Sequence, residues 1–101
     1  MERLFIYGTL RIQNLRKKLT GREITSFGTD SLSGFRLSKI YSEGQYYPII
    51  IDDSSSKQII EGEIIEVTVS ELKKLDCYEG SFYKRRKVVL NSGIVAWAYT
   101  Q

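Results

Sequence analysis

The stretch QIIEGEIIEVTVSELKKLDCYEG (residues 58–80) decides the fold, because it passes from a strand pattern into a helix with signals at both ends. Aliphatic residues dominate its first half, as expected of a long strand. Thr68 followed three residues later by Glu71 forms a capping-box start, and Gly80 supplies a left-handed stop. The pattern therefore predicts a helix from about Val69 to Glu79.

Glu79 falls on the apolar side of this helix. At 100° per residue it lies about 20° from Leu72 and about 40° from Leu75, on the side that should face the core, whereas Cys77 points elsewhere. Partial desolvation, the negative end of the helix dipole and Asp76 one turn earlier would each favour the protonated carboxyl. A rise of two units would bring the pKa of Glu79 near ~6, a value suited to acid/base chemistry around neutrality.

The basic residues after the helix offer a different role for Glu79. Lys84, Arg85 and Arg86 follow closely, and an ion pair with any of them would lower the pKa of Glu79. Helix geometry alone leaves both interpretations open, an acid/base residue or half of a salt bridge. A glycosidase pair with Asp76 is excluded, because carboxylates at i and i+3 share one side of a helix and cannot flank a sugar ring.

The rest of the chain consists mainly of short strands joined by turns. In chain order we expect a strand at Arg3–Tyr7, a helix at Ile12–Leu19 stopped by Gly21, and two strands with a bend or hairpin near Ser33-Gly34. At Pro48 we expect an edge strand or a strand that begins after the proline. A bulge or close approach at Gly62 and a closing hairpin around Asn91–Gly93 complete the pattern. Six or seven strands and two short helices indicate an α+β fold. We expect one domain over residues 1–101, with a small mixed or mainly antiparallel sheet curled toward a barrel and flanked by the helices.

Composition narrows the classes of function. The chain has no histidine and a single cysteine, Cys77. Without histidine, Ser-His-Asp and Cys-His hydrolase mechanisms are excluded, and acid/base chemistry falls to a carboxylate, a lysine or a tyrosine. Cys77 cannot form an internal disulfide. It could be a redox-active or nucleophilic thiol, but a lone cysteine more often fills space in the core, which is the role we expect.

Charge and hydropathy bear on partners and location. The net charge is only +3, and the basic runs at residues 16–18 and 84–87 are typical of solvated faces. No apolar run approaches the roughly 20 residues that span a bilayer, and the first residues lack a signal-peptide pattern. We therefore expect no membrane partner, no nucleic-acid partner and a cytoplasmic location.

Two motifs carry a resemblance to a known family. LFIYGTLR (residues 4–11), followed much later by LDCYEG (residues 75–80), Tyr83 and Arg85, resembles the gamma-glutamyl cyclotransferase-like family, and the likeness extends to the closing AWAYT (residues 96–100). It implies a small mixed β-barrel flanked by helices. It also implies an enzyme that cyclises a γ-glutamyl group and releases 5-oxoproline together with an amine or amino acid.

The same resemblance implies roles for particular residues. Glu79 corresponds to the catalytic acid/base, Tyr7, Gly8, Thr9 and Leu10 to the substrate-holding loop, and Tyr83 to a tyrosine near the pocket. The substrate's own α-amine attacks its γ-carbonyl, so no protein nucleophile, metal or cofactor is required. A glycine turn can aim backbone N–H groups at the substrate's α-carboxylate.

Several alternatives remain open. Tyr7 and Tyr83 could be core aromatics with satisfied hydroxyls, and Gly8 and Thr9 could be only a turn and a helix cap. The protein could be a non-catalytic relative that binds a small carboxylate or amide, or, least favoured, a barrel that binds single-stranded nucleic acid through its tyrosines and basic strand. RIQNLRKKLTGREI (residues 11–24) departs from the family pattern, which leaves the leaving amine undetermined. The sequence does not determine the oligomeric state either.

Overall fold

The first strand of the chain lies at the centre of the fold. The computed structural model describes residues 1–101. Its strands are β1 (Glu2–Ile6), β2 (Gly28–Leu32), β3 (Phe35–Ser42), β4 (Gln45–Asp52), β5 (Ile60–Val67), β6 (Lys84–Val89) and β7 (Val95–Thr100), and its helices are α1 (Gln13–Thr20) and α2 (Val69–Glu79). A short 3-10 helix, Thr9–Arg11, joins β1 to α1.

The strands form two sheets, which do not close into a barrel. Five strands follow the order β2-β5-β1-β7-β6, and β3 pairs only with β4. The pairing of β1 with β7 is parallel, and the other pairings are antiparallel. The N–H of Gln101 donates to the C=O of Ile50 at 3.0 Å, which links the end of β7 to β4. The α+β class and the mixed, curled sheet are confirmed, but the closed barrel that the resemblance implied is not formed, because β3 and β4 pair only with each other.

Strand alternation divides the core into two layers. Phe5 belongs to a cluster of ten buried residues between the larger sheet and the β3–β4 pair. Leu4 and Ile6 point the other way, into a cluster of nine that also contains Leu72 and Leu75 of α2. Each fully buried aliphatic side chain stabilises the fold by roughly 1.5–3 kcal/mol. The centre of the larger sheet is therefore covered on both faces.

Helix α2 confirms the boundaries expected from its sequence signals. The Thr68 hydroxyl accepts a hydrogen bond from the N–H of Glu71 at 3.1 Å, and the Glu71 carboxylate accepts one from the N–H of Thr68 at 2.8 Å. At the other end Gly80 has φ 75°, a conformation that favours glycine. Neither helix combines the length and apolar character that a bilayer-spanning helix requires.

Two expectations about single residues are wrong. Cys77 is exposed and does not fill the core. It lies on α2, and Leu72 and Leu75 are the residues of that helix that enter the core cluster. Arg16 is not on a solvated face, because only 3% of it is accessible. Its guanidinium donates to the C=O groups of Leu10 at 2.8 Å and Ile24 at 2.7 Å, so it fixes the segment that follows β1.

The expectations about the turns, Gly62 and Pro48 agree with the structure. A Cβ on Gly62 would lie 2.7 Å from Cζ of Phe5, which confirms a close approach. Ser33-Gly34 forms a bend, since β2 pairs with β5 and β3 pairs with β4. Pro48 lies in a strand that pairs on one side only, as expected of an edge strand. The closing hairpin of β6 and β7 is also confirmed.

Candidate active site

A cavity of about 320 Å³ lies between the end of β1, the end of α2 and the β3–β4 hairpin. This volume is at the lower end of the range for small-molecule sites. Its lining includes every residue that the sequence singled out: Tyr7, Gly8, Thr9, Leu10, Glu79 and Tyr83. The fold thus brings together two segments that are about seventy residues apart in the chain.

Glu79 is the last residue of α2 and has no ion pair. Two of the three basic residues that could have neutralised it are engaged elsewhere: Arg85 lies 2.9 Å from an Asp76 carboxylate oxygen, and Arg86 lies 3.1 Å from Asp52. The third, Lys84, makes no ion pair with Glu79. Burial raises the pKa of Glu79 from its ordinary value of 4.5 to about 7. Its carboxyl can therefore both accept and release a proton near neutrality.

Asp76 does not act on Glu79 as the sequence suggested. Its carboxylate accepts a hydrogen bond from the Tyr99 hydroxyl at 2.7 Å and also pairs with Arg85. The Arg85 Nε makes no hydrogen bond, so this pair depends on charge and proximity. Because Asp76 is occupied by these two residues, burial remains as the cause of the raised pKa of Glu79.

The loop after β1 presents an unpaired backbone donor. Gly8 lines the cavity, and its N–H donates to no group of the protein. A Cβ on this residue would lie 3.2 Å from Cγ of Pro48, so glycine permits the close approach of the loop to β4. Arg16 holds the loop in place through the C=O of Leu10. A fixed and unpaired N–H of this kind can bind an anionic group.

The loop is also tied to α2 next to the carboxyl. The Thr9 hydroxyl lies 2.9 Å from the Tyr78 hydroxyl and forms a hydrogen bond with it. Tyr78 directly precedes Glu79, so this bond connects the two halves of the site. The sequence interpretation missed Tyr78, since nothing local to residues 9 and 78 signals their contact.

Two tyrosines form walls of the cavity. The Tyr7 hydroxyl donates to the C=O of Tyr99 at 2.5 Å, and the Tyr83 hydroxyl donates to the C=O of Pro48 at 2.6 Å. Burial raises the pKa of Tyr83 to about 12 and also raises the pKa of Tyr7, so both phenols stay neutral. Because both hydroxyls are committed to the backbone, the rings are the parts that shape the cavity.

Much of the remaining lining comes from residues that the sequence interpretation did not identify as a site. Ile40 and Tyr47 line the cavity from β3 and β4, Glu43 from the turn between them, and Phe82 from the segment after α2. The Ser-Glu-Gly turn signal between two strand-like runs could have marked Glu43 as a hairpin tip, but not as a neighbour of Glu79. No lysine or arginine lines the cavity. Nowhere does the structure gather three or more cysteine, aspartate or glutamate side chains that could hold a metal ion.

The sequence as a whole matches a known family. The model of the family described as "Gamma-glutamyl cyclotransferase, AIG2-like" matches residues 4–101. A protein of Methanocaldococcus jannaschii named "Putative gamma-glutamylcyclotransferase MJ1514" is 32% identical over 107 residues, which cover 98% of this chain and 83% of that protein. Both matches include the loop after β1 and the end of α2.

Solved structures share the fold. The solution structure of At3g28950.1 from Arabidopsis thaliana has a TM-score of 0.80 at 23% identity, over 98% of this chain and 61% of that one. A structure named "Gamma-glutamyl cyclotransferase" has a TM-score of 0.79 at 18% identity, over 99% of this chain and 66% of that one. This chain thus spans less than two thirds of both structures' lengths, and the likeness concerns the fold alone. The family-model match over residues 4–101 and the 32% identity to the M. jannaschii protein show that the chain belongs to the gamma-glutamyl cyclotransferase, AIG2-like family.

Proposed function

We propose that the protein is a γ-glutamyl cyclotransferase-type enzyme, which releases 5-oxoproline from a γ-glutamyl amine or peptide by intramolecular aminolysis. The observation that carries this proposal is the Glu79 carboxyl, which lines the cavity without an ionic partner and has a pKa of about 7. Family membership supports an enzyme of the cyclotransferase kind.

In the proposed reaction, Glu79 moves protons one at a time. Its carboxylate first accepts a proton from the substrate's α-ammonium group and passes it to solvent, and the freed amine attacks the γ-carbonyl carbon to close a five-membered ring. The carboxylate then accepts the second proton that the ring nitrogen has to lose. The protonated Glu79 then donates to the leaving nitrogen, and the bond between that nitrogen and the γ-carbon breaks. The carboxylate is regenerated. A pKa near the working pH suits both steps, because each protonation state is populated.

Substrate binding follows from the same cavity. The α-carboxylate of a γ-glutamyl group needs hydrogen-bond donors, and no cationic side chain lines the cavity. In our proposal the unpaired N–H of Gly8 supplies a donor. The rings of Tyr7 and Tyr83 confine the glutamyl chain in a folded shape, and such orientation can contribute about 7–11 kcal/mol at the most favourable limit. The reaction as proposed uses neither a metal nor a cofactor.

Mass-spectrometric detection of 5-oxoproline tests the proposal. The purified protein is incubated with γ-glutamyl amino acids, γ-glutamyl amines and γ-glutamyl-ε-lysine, with Glu79→Gln in parallel. Glu66→Gln is a matched control, because Glu66 is exposed on β5 and does not line the cavity. We expect product from the wild type and from Glu66→Gln, but not from Glu79→Gln. Calorimetric binding of these compounds without product from any of them would instead identify a non-catalytic binding protein.

A further inference from the structure

The part of the cavity lining that includes the β3–β4 hairpin indicates which amine the reaction releases. We infer that it forms a subsite for a leaving group that carries a second positive charge, and that Glu43 selects this group. The inference rests on the proposed function, because it names the amine released in that same reaction. It extends that function from γ-glutamyl compounds in general to γ-glutamyl derivatives of aliphatic diamines.

The charges around the cavity favour a cation. Glu43 and Glu79 are its two carboxylates, contributed by the hairpin tip and by α2, and no lysine or arginine accompanies them. Glu43 takes part in none of the protein's ion pairs or side-chain hydrogen bonds. A cleft lined by one sign of charge raises the local concentration of ligands of the opposite sign. Glu43 is thus an available partner for an ammonium group.

Aromatic side chains elsewhere in the cavity lining suit an aliphatic ammonium compound. Tyr47, Tyr78 and Phe82 line the cavity together with Glu43. Aromatic faces attract cations and also cover methylene groups, so they can hold both the stem and the head of an alkylammonium chain. A released amino acid fits less well, because its carboxylate would meet Glu43 with no cationic side chain to balance it.

The backbone conformation of Glu43 in the turn is unfavourable for a glutamate, which is consistent with a functional role for its side chain. Glu43 connects β3 to β4 together with Gly44, and the φ angles of the two residues are 48° and 79°. Two-residue turns with positive φ at both positions prefer asparagine, aspartate or glycine, and a glutamate there is uncommon. Strained residues of this kind concentrate at functional sites. The cavity and its charges carry the inference, and the turn agrees with it.

Two substrates that differ only in the distal charge test the inference. γ-Glutamyl-N-(5-aminopentyl)amide ends in an ammonium group, and γ-glutamyl-N-hexylamide has a methyl group in its place. We expect the wild type to favour the ammonium compound by about fivefold in kcat/KM, the upper range for an ion pair open to solvent. Glu43→Gln should reduce this ratio to about one, whereas Glu66→Gln, with the same change in net charge outside the cavity, should preserve it.

The possible outcomes separate this inference from the proposed function. Equal turnover of the two compounds by the wild type, or a preference that survives Glu43→Gln, would overturn the inference and leave the cyclotransferase proposal standing. Failure to release 5-oxoproline from both compounds and from every member of the wider panel of γ-glutamyl compounds would overturn both. Failure with these two compounds, with product from other members of the panel, would overturn the inference alone. A preference that weakens with added salt would further support an ionic origin.

Discussion

Glu71 and Glu79 lie near opposite ends of α2, and both turn toward the protein. Glu71 is 7% exposed, and its carboxylate accepts hydrogen bonds from Arg22 Nε at 2.6 Å and from the N–H of Thr68 at 2.8 Å. The hydrogen bond from Arg22 is the main reason that the pKa of Glu71 lies below its ordinary value. Glu79 has no such partner, and burial raises its pKa to about 7.

The difference shows that an ionic partner can offset the effect of burial on the pKa of a carboxyl, and so determines what that carboxyl can do. Glu71 lies at the helix end where the dipole favours a negative charge, and it completes the capping box. Glu79 lies at the end where the dipole disfavours that charge. The first carboxylate stabilises the fold and stays ionised. The Glu79 carboxylate destabilises the folded state when it is ionised. The carboxyl therefore holds a proton that it can exchange near neutral pH, as an acid/base residue requires.

The largest expected effect concerns turnover. Glu79→Gln should lower kcat for 5-oxoproline release by about 10²- to 10⁴-fold, the usual contribution of a general acid/base. Glu71→Gln should keep kcat within a few fold, because it lies about 12 Å away along the helix. Both variants are compared by single-substrate kinetics at a temperature at which circular dichroism shows them folded. Similar losses of kcat in the two variants would show that Glu79 has no special role in turnover.

The next effect concerns stability, where the two glutamates should act with opposite sign. At about pH 8, Glu79→Gln should raise the free energy of unfolding by on the order of 2–3 kcal/mol, because it removes a carboxylate that the fold disfavours. Glu71→Gln should lower it by about 1–3 kcal/mol, because the cap and the Arg22 pair are lost. Denaturant titration of both variants and of the wild type measures these values.

Measuring the same two stability changes at several pH values tests whether they arise from the ionisation of the two carboxyls. The cost of Glu79 is fully present above its folded pKa of about 7 and disappears as the pH falls below the unfolded value of 4.5. The contribution of Glu71 has the opposite behaviour, since its folded pKa is depressed: it is present above the ordinary value and lost as the pH falls. A gain from Glu79→Gln that does not shrink in acid would contradict the assigned pKa.

A smaller effect is the pH profile of activity. We expect kcat/KM to fall about tenfold per pH unit below a midpoint near 7, because protonated Glu79 cannot accept the α-ammonium proton. Glu71→Gln should leave this midpoint in place. Initial rates of 5-oxoproline release in buffers of constant ionic strength measure it. A flat profile between pH 5 and 8 would remove Glu79 from the proton transfer.

The smallest expected effect concerns Glu43, which is unpartnered like Glu79. Glu43→Asn should raise the free energy of unfolding by about 0.5 kcal/mol, since asparagine tolerates the positive φ better. The same variant should lose the preference for the ammonium substrate. Glu43→Gln is the matched variant, because it removes the charge without relieving the backbone. Equal stability of these two variants would show that the turn imposes no cost on glutamate.

The features of this protein that could be predicted from its sequence are those that have local sequence signals. The bounds of α2 follow from Thr68, Glu71 and Gly80, which all lie within the helix or directly beside it. The inward position of Glu79 follows from helix periodicity alone. The close approach at Gly62 and the hairpin of β6 and β7 are also predicted by short stretches of sequence. These features need no knowledge of which distant segments meet.

The features that escaped prediction depend on contacts between distant residues. Arg16 is buried because the C=O groups of Leu10 and Ile24 converge on it, which no local pattern reveals. The barrel fails to close because Gln101 meets Ile50 at one hydrogen bond instead of a ladder. Glu43 lines the cavity only because the β3–β4 hairpin packs beside the residues that form the rest of the lining. Such contacts are set by the arrangement of the sheets.

Titration of the Glu79 carboxyl tests most directly the claim that an unpartnered glutamate is held ready for proton transfer. Carbon-13 NMR of glutamate side-chain carboxyls would follow it, with the resonance assigned by its loss in Glu79→Gln. We expect a midpoint near 7 for Glu79 and a midpoint below 4.5 for Glu71 in the same protein. A midpoint at or below 4.5 for Glu79 would show that it finds a cationic partner in solution, and would contradict its role as the acid/base.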